Sequence, residues 1–283
     1  MHYYLGLEVW QNLGEIYLGK GKYVIKILQK FGMMLIPMIT NLKKLKNSDS
    51  SLVDPTSYHW LVGSLMYLVN SRTDICYAVN VLNQFQLEPR HDHWVAAKHI
   101  FRYLLGTIHH CLKYDGNEIL LSGFTDSDWG GSATDGRSTA GGSFSLGSSI
   151  ISHMSRKQDS VALSSAEAEY VAACEVGKEA LWLRKLLSYL FGRPMDPTVI
   201  FCDNQSSIRL TEDLVFHART KHISNKYHYI RSLVEDEVIK LQYILTDEQV
   251  VDILTKSLSN KKLEYLRIKL GLVDICHLIE REI

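Results

Sequence analysis

Residues 164–192, "SSAEAEYVAACEVGKEALWLRKLLSYLFG", decide the fold. The run predicts one long helix. Ser164-x-x-Glu167 has the pattern of a capping box, in which a hydroxyl and a carboxylate satisfy backbone N–H groups that the first turn leaves free. Stepping by three and four from Glu169 gives Ala172, Ala173, Val176, Ala180, Leu183 and Leu187, an apolar stripe suited to lie on a sheet. Glu175, Lys178, Glu179 and Lys185 fall on the opposite side and are expected to face solvent. Glu169 stands out, because a carboxylate heading a buried stripe must be protonated, paired or metal-bound.

Ahead of this helix, "CLKYDG", "ILLSGFTDSD" and "AGGSFSLGSSIISHMS" read as successive strands with Gly/Ser turns. Behind it come a short strand "PTVIFCD", a helix from Asn204, the basic segment "HARTKHISNKYHYIRSLVEDE" and a strand "VIKLQYIL". A last helix is expected from Thr246, with Thr246-x-x-Gln249 as its capping box and Val250, Ile253, Leu254 and Leu258 as its stripe. Strands, helix, strand, helices, strand and helix predict an α/β fold with a mixed sheet flanked by helices. Further upstream, "YLGLEVW" and "EIYLG" around "QNLG" form a β-hairpin, and "KYVIKILQKF" is a helix. Residues 41–57 are polar and non-periodic and read as a linker. "YHWLVGSLMYLVNS", "TDICYAVNVLNQFQ" and "DHWVAAKHIFRYLLGT" supply three helices. The expected divisions are 1–40, 41–57, 58–115, 116–272 and a tail at 273–283.

Composition narrows the function classes. Lys+Arg and Asp+Glu both number 31, so a polyanion would have to be held by a local basic surface rather than by net charge. The 5 cysteines are scattered, with no C-x-x-C pair, which argues against a disulfide framework and a zinc site. The N-terminus lacks a signal-peptide pattern, and no apolar run approaches the roughly 20 residues that cross a membrane. The expectation is an intracellular protein, cytoplasmic or nuclear, with no membrane partner.

Four acids stand at the ends of elements. Asp126 lies near the end of the first strand of the α/β unit and Asp203 closes "TVIFCD"; Glu169 opens the long helix, and Asp252 sits in "TDEQVVDILTK". Any one of these has a bland reading, such as a helix cap or a favourable interaction with a helix dipole. Together, carboxylates around one sheet rim can hold two Mg²⁺ ions about 4 Å apart, a geometry suited to in-line phosphoryl displacement. Hard oxygen donors suit Mg²⁺, and no Cys/His set competes. Asp128 shares a strand face with Asp126, but it precedes Gly130 and Gly131 and reads as a turn residue.

"TDSDW", "GRSTAG", "ISHMSRKQDSVALSSAEAEYVAA", "DNQSSIRL", "RTKHI", "YHYIR" and "VVDILTK", in this order, resemble the ribonuclease H domain of copia-type LTR retrotransposon Pol polyproteins. "HYYLGLEV", "GKYVIKILQKFGM", "LVGSLMYLVNSRTDICYAV" and "HWVAAKHIFRYLLGT" resemble the end of the same elements' reverse transcriptase. The resemblance implies a ribonuclease H-like fold over residues 116–272, preceded by a palm-edge hairpin and a helical thumb/connection remnant. It places Asp126, Glu169, Asp203 and Asp252 as catalytic and metal-binding residues. It also implies Mg²⁺-dependent endonucleolytic cleavage of the RNA strand of RNA–DNA hybrids with two ions, Mn²⁺ being able to substitute. The implied partners are the hybrid and the polymerase core of the same element, with no small-molecule cofactor. The Tyr-x-Asp-Asp hairpin of that core is not in this chain, so no polymerase active site is expected here. The alternative is a truncated, catalytically decayed fragment that folds or binds nucleic acid without activity. The family usually carries Trp at His153, an aromatic at Gly142 and Pro at Thr73.

Arg219, Lys221, Lys226 and Arg231, interleaved with Tyr227 and Tyr229, are the expected nucleic-acid contacts, with a solvated basic helix face as the competing reading. Lys98 and Arg102 beside Trp94 and Tyr103 are weaker candidates, for which amphipathic packing is favoured.

Overall fold

The computed structural model describes residues 2–32, 49–116, 119–132, 135–212 and 224–279 of the 283-residue chain. Two compact units result: Met1–Asn117 together with Ser259–Ile283, and Glu118–Leu258 between them.

The first unit begins with antiparallel strands β1 (His2–Tyr4), β2 (Leu7–Asn12) and β3 (Glu15–Gly19). Helices α1 (Gly21–Lys30), α2 (Pro55–Val69), α3 (Cys76–Asn83) and α4 (His91–Leu105) follow, and then strand β4 (His110–Asp115). The helices close around Leu28, Tyr58, Leu61, Leu65, Phe101 and Leu104. Each buried leucine there contributes about 1.5–3 kcal/mol. α2 starts earlier than expected, because Asp54 caps it by accepting the Ser57 N–H at 2.8 Å and Pro55 sits at its first turn. Residues 49–54 are not a free linker: Leu52 bridges Arg90, and the His91 N–H donates to the Ser51 carbonyl. The rest of the expected linker, residues 41–48, lies outside the described residues.

The second unit is a five-stranded sheet ordered β7-β6-β5-β8-β9. Strands β5 (Leu121–Asp128), β6 (Thr139–Leu146) and β7 (Ser149–Lys157) pair antiparallel. Helix α5 (Ser165–Phe191) leads to β8 (Thr198–Cys202), which joins β5 in parallel. After α6 (Gln205–Glu212) and α7 (Ser224–Glu235), β9 (Ile239–Tyr243) pairs in parallel with β8. This strand and helix order is the ribonuclease H-like α/β fold expected from the sequence. Ser164 caps α5 by accepting the Glu167 N–H, while Glu167 Oε2 accepts the Leu163 N–H at 2.8 Å. Gly192 ends the helix in the left-handed region at φ 63°. The whole stripe from Ala172 to Leu187 is buried.

One expectation is corrected. Gln249 does not cap a helix starting at Thr246: residues Thr246–Glu248 form a 3-10 turn, the Gln249 amide donates to the Thr125 carbonyl at 2.8 Å, and α8 spans only Asp252–Thr255. The second compact unit ends at Leu258, short of the 272 expected for the ribonuclease H-like region. Beyond it, α9 (Asn260–Lys269), β10 (Leu272–Asp274) and α10 (Cys276–Ile279) belong to the first unit. β10 pairs antiparallel with β4 and extends the first unit's sheet to β1-β2-β3-β4-β10. Ile275 is buried with Trp10, Tyr17 and Cys111. The Arg267 guanidinium donates to the Tyr103 hydroxyl, which donates to Asp74 in its buried ion pair with Arg72. The segment expected to be a tail therefore completes a core and a sheet. No described helix is long and apolar enough to cross a membrane.

Candidate metal centre

The site is built on a glycine pair. Asp126 of β5 lies opposite Gly141 of β6. A Cβ on Gly141 would stand 2.5 Å from Thr255 Cγ2 and 2.7 Å from Val251 Cγ1, so α8 lies directly on that residue. Gly142 faces the other side, where a Cβ would stand 2.5 Å from Val176 Cγ2 of α5. Two successive residues without side chains thus admit a helix on each face of one strand. The aromatic that the resemblance implies at Gly142 has no room against Val176. His153 is half-buried, and desolvation pushes its ring down to about 4.

Around this frame three carboxylates converge. Asp126, Glu169 and Asp203 each offer an oxygen, and the three oxygens lie within 4.8 Å of one another. Each is placed by a separate local cause. Glu169 Oε1 accepts the Ser127 N–H at 3.0 Å, which ties the first turns of α5 to the end of β5. Asp203 follows β8 directly, and Asn204 rather than Asp203 caps α6 by accepting the Ser207 N–H at 3.0 Å. That leaves the Asp203 carboxylate for the rim. Asp126 Oδ2 accepts the Thr255 hydroxyl of α8.

Electrostatics give this cluster its character. Glu169 is 6 % exposed and Asp126 2 %. Burial, reinforced by the Asp126 and Asp203 charges, pushes Glu169 up to about 9. Burial also pushes Asp126 up to about 6, against the pull of Lys256 and Thr255. Buried carboxylates this close repel when ionised. Glu169 Oε2 is buried without a hydrogen-bond partner among the described residues. An oxygen-only donor set with a buried, unsatisfied carboxylate oxygen fits a hard divalent cation such as Mg²⁺ or Mn²⁺.

Asp252, the fourth expected ligand, is placed differently. It is fully buried on α8, and its Oδ1 pairs with Lys256 Nζ at 2.6 Å. Lys256 Nζ also lies 3.8 Å from Asp126 Oδ2, so the ammonium bridges Asp252 to the cluster. Sequence reading missed Lys256, although its i, i+4 spacing from Asp252 was a signal. Asp128 lies outside the cluster. Its carboxylate folds against Gly131, where a Cβ would stand 2.0 Å from Oδ2.

The expected nucleic-acid contacts divide. Arg219 and Lys221, and the side chain of Lys226, lie outside the described residues. Arg231 is corrected: it is 7 % exposed, and its guanidinium donates to the Leu210 carbonyl, joining α7 to α6 instead of facing a phosphate. Lys98 stands over the Trp94 ring at 5.7 Å. The first unit also holds a cleft of about 580 Å³ lined by Tyr23, Thr56, His59, Trp60, Gly63, Ser64 and Tyr67. Lys30 sits 4.6 Å from the Trp60 ring. Sequence reading missed this cleft because "YHWLVGSLMYLV" is apolar enough to pass for an entirely buried helix.

No protein-family model matches the chain. It is 38% identical over 270 residues to the retrovirus-related Pol polyprotein from transposon TNT 1-94 of Nicotiana tabacum, a match covering 91% of this chain and 20% of that protein. It is 37% identical over 281 residues to the corresponding polyprotein from transposon RE2 of Arabidopsis thaliana, covering 97% of this chain and 19% of that protein. The chain thus spans about one fifth of the length of these curated relatives. Among solved structures, LC11-RNase H1 in complex with an RNA/DNA hybrid aligns at 13% identity with a TM-score of 0.37, covering 48% of this chain and 93% of that one. The fold assignment rests on the strand order and helix positions of the second unit itself. With relatives matching from one end of the chain to the other, the protein belongs to the family of retrovirus-related Pol polyproteins of transposons.

Proposed function

We propose that the second unit is a divalent-metal-dependent ribonuclease that cleaves the RNA strand of RNA–DNA hybrids, as part of a copia-type Pol polyprotein. The observation that carries this reading is the meeting of Asp126, Glu169 and Asp203, from three separate elements, within 4.8 Å. Asp126, Glu169 and Asp203 would hold one Mg²⁺, and Asp126 with Asp252 a second. Bound Mg²⁺ would supply Lewis-acid activation of water and stabilise charge on the leaving 3′ oxygen. The chain's own residues hold the geometry. The Ser127 N–H fixes one Glu169 oxygen, Thr255 fixes one Asp126 oxygen, and Gly141 lets α8 approach. RNA would be told from DNA by its 2′-OH and by duplex shape rather than by base readout.

Arg219, Lys221 and Lys226 remain the proposed phosphate contacts. The cleft around Trp60 and Tyr67 is a second proposed nucleic-acid contact, because α1 carries Lys22, Lys26 and Lys30 with no acidic residue and α2 carries no charge. The test is incubation of the purified chain with an end-labelled hybrid in Mg²⁺ or Mn²⁺, beside Asp126→Asn and Asp203→Asn. Metal-dependent cleavage by the wild type alone is expected. Cleavage no greater than that of the variants refutes the enzyme reading. Hybrid binding without cleavage supports the decayed-fragment alternative.

A further inference from the structure

Lys256 occupies a position that the cleavage chemistry leaves unexplained. Its ammonium lies between the two buried acids proposed to share a second cation, 2.6 Å from Asp252 Oδ1 and 3.8 Å from Asp126 Oδ2. Both acids are nearly sealed from water, with side-chain exposures of 0 % and 3 %, whereas the Lys256 side chain is 36 % exposed. Lys256 is the C-cap of α8, and its backbone has already left the helix at φ −145°, ψ 162°. Its flexible stem can therefore turn outward without unwinding α8.

We infer that Lys256 is a built-in counter-ion for the Asp126–Asp252 pair, and that a divalent cation entering between these acids displaces its ammonium toward solvent. The inference rests on the metal-centre reading proposed above and adds a positioning residue to it. The physical reason is direct. Two ionised carboxylates buried side by side need a positive charge whether or not metal is present, and an ammonium and a metal ion cannot share the space between them without strong repulsion. Without metal, the lysine keeps the pair from ionising unopposed. With metal, the same charge becomes a competitor and weakens uptake of the second ion. Once displaced, the ammonium stands at the rim of the site, where the phosphates of a bound strand would attract it.

Three measurements on the full chain test this. The first is calorimetric titration with Mg²⁺ of the wild type, Lys256→Gln, Lys256→Arg and the remote control Lys178→Gln, which removes the same charge far along α5. Lys256→Gln is expected to bind the second ion roughly ten-fold more tightly, with Lys256→Arg and Lys178→Gln near wild type. The second is melting temperature: Lys256→Gln should melt below wild type in EDTA, with the gap closing at saturating Mg²⁺. The third needs no variant. Acetylation of Lys256, followed by mass spectrometry, should accelerate several-fold when Mg²⁺ is added to the wild type, while Lys178 stays unchanged. The inference is overturned by an unchanged second-ion affinity in Lys256→Gln, by equal tightening in Lys178→Gln, by a melting deficit that Mg²⁺ does not repair, or by Mg²⁺-insensitive acetylation. A wild-type chain that takes up no Mg²⁺ overturns the metal-centre reading and this inference together, whereas uptake unaltered by Lys256→Gln overturns this inference alone.

Discussion

Glu169→Gln should stabilise the metal-free protein at alkaline pH while weakening its response to Mg²⁺. In the wild type, burial first and the Asp126 and Asp203 charges second push Glu169 from 4.5 up to about 9. The folded state therefore holds this proton more tightly than the unfolded chain does. Its contribution to stability is fully present below pH 4.5 and is lost as pH rises toward 9. From 4.5 to pH 8.5 is about 4 pH units, each worth about 1.36 kcal/mol, so the wild type loses about 5 kcal/mol if the site stays dry. If water enters the site the loss is about 2 kcal/mol. Glutamine has nearly the same shape and no proton to lose, and its amide carbonyl can still accept the Ser127 N–H. Urea unfolding in EDTA at pH 5.5, 7 and 8.5 isolates Glu169 as the difference between wild type and variant. At pH 8.5 the variant should be the more stable by about 2–5 kcal/mol, and near pH 5.5 the difference should shrink to below about 1.5 kcal/mol. Adding Mg²⁺ should stabilise the wild type most at pH 8.5 and the variant much less, through the Asp126–Asp252 site alone. Parallel pH profiles, or an equal Mg²⁺ effect on both, would refute the claim that Glu169 sits in a cation-requiring cluster.

Asp126→Asn should abolish hybrid cleavage and Asp128→Asn should only reduce it, since Asp128 folds against Gly131 outside the cluster; equal loss in single-turnover assays would contradict this division. Gly141→Ala pushes a methyl group into Thr255 and Val251, so it should destabilise the second unit by about 1–3 kcal/mol in urea unfolding and weaken Mg²⁺ uptake. Arg231→Ala should destabilise by about 1.5–3 kcal/mol through the lost Leu210 contacts, leaving hybrid affinity per folded molecule unchanged in a filter-binding assay. Trp60→Ala, at a side chain 62 % exposed, should spare the melting temperature and weaken hybrid binding about five-fold or more, as loss of one stacking contact worth about 1–3 kcal/mol does.

The residues that could be read from the sequence are those whose local pattern and structural role coincide. Glu169 was legible because a 27-residue helix repeats its apolar spacing often enough to show one carboxylate out of place. Asp126 and Asp203 were legible because each follows apolar strand residues at the sheet rim. The α8 region shows the opposite case. Four residues are barely one turn, too few for a period, and Thr246-x-x-Gln249 mimicked a capping box whose glutamine is used 124 residues away on Thr125. What sets the position of Asp252 and Lys256 is a non-local fit, the bare surface at Gly141. A glycine in a strand marks close approach without saying by what. The pairing of β10 with the first unit was illegible for a related reason. β10 is three residues long and gains its stability from β4, a strand more than 150 residues earlier, so its own sequence has no alternation to show. The carboxylate cluster repeats the lesson in energetic form. Each acid alone has an ordinary role as a cap or surface charge, and only their approach to within 4.8 Å makes a place that a cation fits. Chemistry in this chain therefore belongs to the juxtaposition, and the glycine pair of β6, which bears no reactive group, does as much to create it as the acids do.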